Sequence, residues 1–230
     1  VKTSGFMGGL YVISEWIMRF SLVNLQWVLF NLPIALLLIS ILYIDSSEQL
    51  FYLTVPLVVL LPPLFFPATM AMFAKAREWV RVDEEEREPR TYVSYYKENY
   101  RTSLLAGLVF VALWGILLAD IYYFSERNEI LMNLFVVMGI LLFTFTLNFF
   151  SVSVHYDMKL RGLLRQAFFI TAGSPLLFLA VSISSGIVLY ISLYIFPIII
   201  PLFSGSLLAF LTFSAYYRLY LKIVARKLKQ

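Results

Sequence analysis

The chain has 230 residues, of which 61% are hydrophobic, 17% aromatic and 14% charged. A water-soluble domain of this length has too little interior to hide so much apolar surface, so the composition excludes a soluble globular protein and points to a polytopic membrane protein. The net charge of +4 does not indicate nucleic-acid binding, because the basic residues flank apolar runs instead of forming one face; the absence of cysteine excludes thiol nucleophiles, thiolate metal sites and disulfides.

In chain order, VKTSGF opens the sequence, with Met7 as an alternative start. No cleavable leader is expected, so the first span stays in the mature protein. Residues 7–20, MGGLYVISEWIMRF, place Leu10, Ile13, Ile17 and Phe20 on one side and are predicted to form a short amphipathic helix in the headgroup layer. Glu15 and Arg19 form an i,i+4 pair on it and, with Trp16, offer a face for a cytoplasmic partner.

Residues 21–81 read as a first hairpin, with spans at Ser21–Ile44 and Leu50–Ala74 and a polar turn, Asp45–Gln49, between them. Asn24 and Asn31, seven residues apart, share a face of the first span beside Trp27, where amides turn inward to bond a neighbouring helix or contact a ligand. Pro62, Pro63 and Pro67 interrupt the second span. Each removes a backbone donor and disfavours helix at the residue before it, so a broken helix is predicted at Phe66, Pro67, Ala68 and Thr69. Thr69 is then placed to satisfy a freed carbonyl.

Residues 82–154 begin with an acidic run, Asp83 to Glu86 and Glu88, among Arg81, Arg87 and Arg90, read as a solvated loop. Tyr92, Tyr95, Tyr96 and Tyr100 fall on one helical side and predict a second interfacial helix. Spans at Thr102–Phe124 and Ile130–Val154 follow, with Asp120 near the outer surface and Asn148 towards the inner end. His155, a lone histidine at the boundary beside Asp157, is too few donors for zinc and fits a headgroup or helix-end contact better than a proton relay. No cofactor is expected.

Residues 155–220 carry a third amphipathic helix, Lys159 to Thr171, and spans at Ser174–Ile195 and Pro197–Tyr220. Ser182 and Gly186 are a small-xxx-small pair that allows close helix approach. Pro197 and Pro201 should end one helix and start the next. Tyr216, Tyr217, Arg218 and Tyr220 form an aromatic and basic belt, and the tail 221–230 can hold anionic membrane lipid.

With the N-terminus inside, 17 of the 18 Lys and Arg residues fall in inner segments and Arg127 alone lies outside, which places both termini in the cytoplasm. The expected fold is an all-α polytopic membrane helical bundle of six transmembrane helices. It is built from three parallel hairpin repeats, each led by a cytoplasmic interfacial amphipathic helix and arranged about a pseudo-three-fold axis. The returning spans of the first and third units share a phrase, PLFFPATMAMF from Pro63 and PLFSGSLLAF from Pro201.

GGLYVISEWIMRF at Gly8 to Phe20, a first span rich in Asn and Trp, and LFFPATMAMFAKAREWVR at Leu64 to Arg81 together resemble the YesL family of bacterial integral membrane proteins over nearly the whole chain. The long hydrophobic stretch from Pro33 to Leu61 departs from the shorter, more glycine-rich pattern expected of members. The resemblance implies a multi-pass plasma-membrane protein, commonly encoded near carbohydrate ABC-importer and two-component sensor genes. It carries over no catalytic residue.

Three functions are weighed. The first is a non-enzymatic accessory or assembly protein for carbohydrate (oligosaccharide) ABC import, with ABC permease subunits as partners. No G-x-x-x-x-G-K-[ST] loop is present, so the chain is not the ATPase itself. The second is a transporter or channel for a small uncharged solute, with Asn24, Asn31, Thr69, Asn148 and Ser204 facing a central path. The third is a scaffold or sensor partner of a histidine kinase. A homo-oligomer is compatible with each. One histidine, no cysteine and carboxylates at the membrane edge leave too few converging groups for an enzyme.

Overall fold

The structure, a computed structural model, describes residues 6–44, 46–81 and 90–228. The first five residues, Asp45 of the outer turn, the acidic run Asp83 to Glu86 with Arg87 and Glu88, and Lys229 lie outside the described residues. Among the described residues all regular structure is helical and there is no strand. Five helices are long and apolar enough to cross a membrane, at Glu48–Val80, Tyr100–Ser125, Glu129–His155, Pro175–Ile195 and Ile200–Lys227. A bent pair over residues 7–41 makes a sixth.

The first helix, α1 (Phe6–Phe30), runs unbroken through the expected boundary between an interfacial helix and a span at residue 20. No proline or glycine lies between Gly9 and Pro33, so nothing there stops a helix. The bend falls later, at Asn31, where α1 meets α2 (Leu32–Ile41) at 73°. Pro33 has no N–H to offer Leu29 O, and the turn before the bend is held by Asn31: its backbone N–H reaches the carbonyls of Trp27 and Val28, and its Nδ2 donates to Trp27 O at 2.8 Å.

The second span corrects the expected helix break. The helix α3 (Ser47–Leu60) passes through a π-turn, Leu61–Phe65, directly into α4 (Phe66–Val80). Widening the ladder to an i→i+5 bond, from Phe66 N to Leu61 O, makes room for Pro62 and Pro63 without leaving helical geometry. Pro67 cannot donate to Pro63 O, and Tyr96 does so in its place, its hydroxyl 3.2 Å from that oxygen. Tyr92 donates to Ala68 O at 2.6 Å.

Those tyrosines stand on α5 (Tyr92–Glu98), and they correct a second expectation. Tyr92 and Tyr95 are buried against α4 instead of lying in a headgroup layer. Burial pushes the phenols of Tyr92, Tyr95 and Tyr96 above the ordinary tyrosine range, with the Glu78 carboxylate adding to the effect at Tyr95. All three therefore remain protonated donors at neutral pH.

The rest of the chain forms α6 (Tyr100–Ser125), α7 (Glu129–His155), α8 (Leu160–Gly173), α9 (Pro175–Tyr190) and α10 (Gly205–Lys227). The prolines mark the last turn as expected: α9 ends through a π-turn at Ile191–Ile195, the chain reverses at 196–199, and Pro201 sits in a further π-turn, Ile200–Ser204, that feeds α10. The core lies where α4, α7 and α10 pack, in the half of the bundle nearer the charged helix ends. Phe66, Phe73, Phe110, Phe149 and Phe150 fill it, with neighbouring ring centroids 5.1–6.0 Å apart.

Close approach occurs at glycines other than the expected one. A Cβ at Gly107 would lie 2.8 Å from Pro62 Cα, and one at Gly205 would lie 3.0 Å from Asn24 Oδ1 and Met72 Cε. At Gly186 nothing lies within 4 Å, while Ser182 bonds Thr144 Oγ1 at 2.8 Å.

Two outcomes follow. Gly107→Ala should lower thermal stability in detergent by about 1–3 kcal/mol, because its neighbour is proline backbone that cannot give way; Gly115→Ala, which meets open space, should not. Tyr96→Phe should destabilise the wild type more than it destabilises Pro67→Ala, where a restored N–H can serve Pro63 O; a double-mutant cycle should give a coupling of about 0.5–1.5 kcal/mol. Additivity would show that the tyrosine does not replace the missing donor.

Candidate functional site

A cavity of about 510 Å³ opens at mid-height of the bundle, among α1, the α3–α4 span, α6, α7, the end of α9 and the start of α10. Phe66, Thr69, Phe73 and Phe150 form its buried floor. Val58, Leu118, Leu193 and Ile200 line it and are themselves exposed, so they mark its mouth. Among the described residues, no ionisable side chain lines it. The site therefore offers no general acid, no general base and no charge for a polar ligand.

Polar groups in or beside this wall are engaged with one another. Trp27 Nε1 donates to Thr69 Oγ1 at 3.0 Å, Trp114 Nε1 to Thr146 Oγ1 at 3.4 Å, and Ser204 Oγ to Ser192 Oγ at 2.7 Å. Each of these bonds joins one membrane-length segment to the next. Thr69 thus accepts from an indole across the bundle, and the tyrosines of α5 meet the carbonyls it was expected to serve.

The residues predicted to share a polar path are spread through the bundle. Asn24 is fully buried; its Nδ2 donates to Ile200 O at 2.9 Å and its Oδ1 accepts from Ser206 N at 3.0 Å, so one amide completes the backbone bonding of the π-turn before α10. Asn31 sits at the bend after α1. Asn148 is buried between α7 and α8, where its Nδ2 donates to Thr171 Oγ1 at 2.9 Å. Thr69 and Ser204 line the cavity; the three asparagines do not.

Within the predicted partner face, Glu15 and Arg19 pair at 2.5 Å with side chains 34% and 43% exposed. Trp16 turns inward and packs on Phe20, Trp79 and Phe210, with centroids 5.5, 6.3 and 5.5 Å away. The available face is therefore the ion pair and the exposed Ile13 and Ile17.

At the charged end, Glu78 joins α4 to α5. Its carboxylate pairs with Lys75, accepts from Tyr95 OH at 2.5 Å and accepts from the backbone N–H of Arg90. Arg77 donates to Val154 O. His155 ends α7 in a nest of tyrosine rings, with Tyr220 at 4.4 Å and Tyr156 at 4.6 Å between centroids. Sequence reasoning missed Glu78, Trp114, Thr146, Ser192, Gly107 and Gly205. For Trp114 a signal was present: it is the one tryptophan of an otherwise largely apolar span, at a depth similar to that of Trp27.

Residues 20–121, which include Trp27, the π-turn, Thr69 and Trp114, match the family described as "Protein of unknown function, DUF624". Three proteins of Bacillus subtilis (strain 168) are similar. The "Uncharacterized protein YesL" is 29% identical over 203 residues, 87% of this chain and 84% of the relative. The "Uncharacterized protein YteU" is 27% identical over 227 residues, covering 97% and 90%. The "Uncharacterized protein YesV" is 31% identical over 145 residues, covering 61% and 69%. No solved structure matches the chain. With an all-helical membrane-length bundle built around the FPAT phrase, and relatives aligned across both halves of the chain, this protein belongs to the YesL-like family that carries the DUF624 domain.

Proposed function

We propose that this chain is a non-enzymatic accessory or assembly protein for carbohydrate import, one that holds partner membrane subunits and does not conduct the sugar itself. The observation that carries this reading is the state of the polar groups. The indoles and hydroxyls that line the cavity are paired with one another, Trp27 with Thr69, Trp114 with Thr146 and Ser204 with Ser192, and the phenylalanine cluster fills the bundle beneath it. A sugar threaded through this interior loses its water and finds few free donors in return, each lost bond costing about 1–3 kcal/mol. The carbohydrate context rests on the family resemblance; the partners it suggests are ABC permease subunits.

The same reading places the protein in the bacterial plasma membrane with both termini in the cytoplasm, supported by the basic residues gathered at one end of the helices. It takes the six spans as three parallel hairpins. Support comes from the Trp27–Thr69, Trp114–Thr146 and Ser192–Ser204 bonds, one within each hairpin, and from the π-turns LPPLF and IPLFS that lead the first and third returning spans into the core. A carrier for a small uncharged solute is the second reading, favoured by the cavity itself. A kinase scaffold differs from the first reading in the partner alone.

Purification from native membranes in mild detergent should recover permease subunits in stoichiometric amount. Replacing both Glu15 and Arg19 by Ala should lower that recovery several-fold while changing stability by less than about 0.5 kcal/mol, as expected for an exposed pair. Proteoliposomes of the pure protein should show no oligosaccharide flux above protein-free vesicles. Flux would establish the carrier, and recovery of a sensor kinase alone would establish the scaffold.

A further inference from the structure

We propose that the mid-bundle cavity is a binding site for one acyl chain of a membrane phospholipid, which enters from the bilayer past Val58, Leu118, Leu193 and Ile200. The inference concerns the ligand of the cavity and stands whether or not the accessory reading does. Four observations carry it. The cavity wall is apolar, and the hydrogen-bonding groups along it are paired with each other, so a polar ligand gains little there. The four mouth residues are aliphatic, are 38–58% exposed, and belong to or adjoin segments of membrane-spanning length and composition, so the mouth meets hydrocarbon.

The third observation is size. At about 510 Å³ the space falls within the ordinary range for a ligand pocket and is far more than one inserted leucine or phenylalanine side chain fills. An intact helix, about 10 Å across with its side chains, is too thick to enter it. A thin, unbranched chain of methylenes fits both limits. The fourth is Gly115, which lines the cavity, is itself exposed and has nothing within 4 Å of where its Cβ would be, so the wall is open on that side. An apolar cavity of this kind does not hold water, and its lining forgoes dispersion contacts until something apolar fills it. The acyl chain is the most abundant apolar group at the mouth.

The chain's four tryptophans make the test direct. Trp27 and Trp114 line the cavity, while Trp16 and Trp79 pack together at the charged end. With Trp16→Phe and Trp79→Phe in place, the full-length protein is reconstituted into phospholipid vesicles that contain a rising fraction of phospholipid brominated in mid-chain. Contact with the surrounding bilayer alone gives quenching proportional to that fraction. A bound chain gives an added component that saturates at low fraction and takes at least half of the emission. Gly115→Phe, which places a ring in the open wall, should reduce that component several-fold. Native mass spectrometry of the wild-type protein should show one phospholipid retained per chain after other lipid is stripped. Strictly proportional quenching, equal in wild type and Gly115→Phe, overturns the site. So does stoichiometric retention of an isoprenoid or a sugar in place of phospholipid. If Gly115→Phe does not reconstitute, saturation in the protein that retains Gly115 decides alone.

Discussion

Backbone hydrogen bonding inside a membrane is the constraint on which this architecture depends. A span surrounded by hydrocarbon has no water to take up a stranded carbonyl, yet the second span carries three prolines within six residues. The chain meets this with a π-turn and with phenols delivered from α5. That delivery fixes the position of α5, which must lie against α4, and Glu78, Lys75 and Arg90 hold it there. Asn24 does equivalent work for the π-turn before α10, from the neighbouring α1. Asn24 and Asn31, which look like part of a ligand-binding set in an apolar sequence, are spent on the backbone of proline-bearing segments.

The consequence is an uneven bundle. Towards the charged end, small residues such as Ala68, Ala71 and Ala76 let α4 approach its neighbours, and the phenylalanine cluster closes the interior. Beside the π-turns a cavity remains, bounded by the paired indoles and hydroxyls. A closed polar end and an apolar chamber suit a protein that binds lipid and partner subunits better than one that moves a hydrated sugar.

Much of the fold was legible because span length and charge placement are strong signals. The five or six membrane-length helices, the turn between Pro197 and Pro201 and the approximate span limits follow from apolar run length and proline position alone. The misreadings have one physical origin. Proline and tyrosine were each judged by local rules, a breaker and an interface anchor, whereas tertiary contact made the first tolerable and buried the second. The continuous α1 was missed for a related reason: amphipathic spacing to Phe20 suggested a surface helix, but only Pro33 can stop the chain. Of the residues singled out for function, Thr69, Ser204 and Phe66 meet at the cavity, while Asn24, Asn31 and Asn148 serve the framework. Which partner an internal amide will find depends on helix packing that one sequence does not encode locally.

The natural absence of cysteine allows the central claim, an interior closed to water, to be tested at single positions. Thr69→Cys, on the cavity floor, should be challenged in sealed vesicles with a charged thiol reagent from each side and with an apolar maleimide of similar reactivity; Arg127→Cys and Asp157→Cys, in opposite loops, serve as side markers. The expected result is modification of Thr69→Cys by the apolar reagent and protection from the charged one on both sides. Rapid modification by the charged reagent, at a rate near that of either loop marker, would contradict the closed interior and reveal a water-filled path.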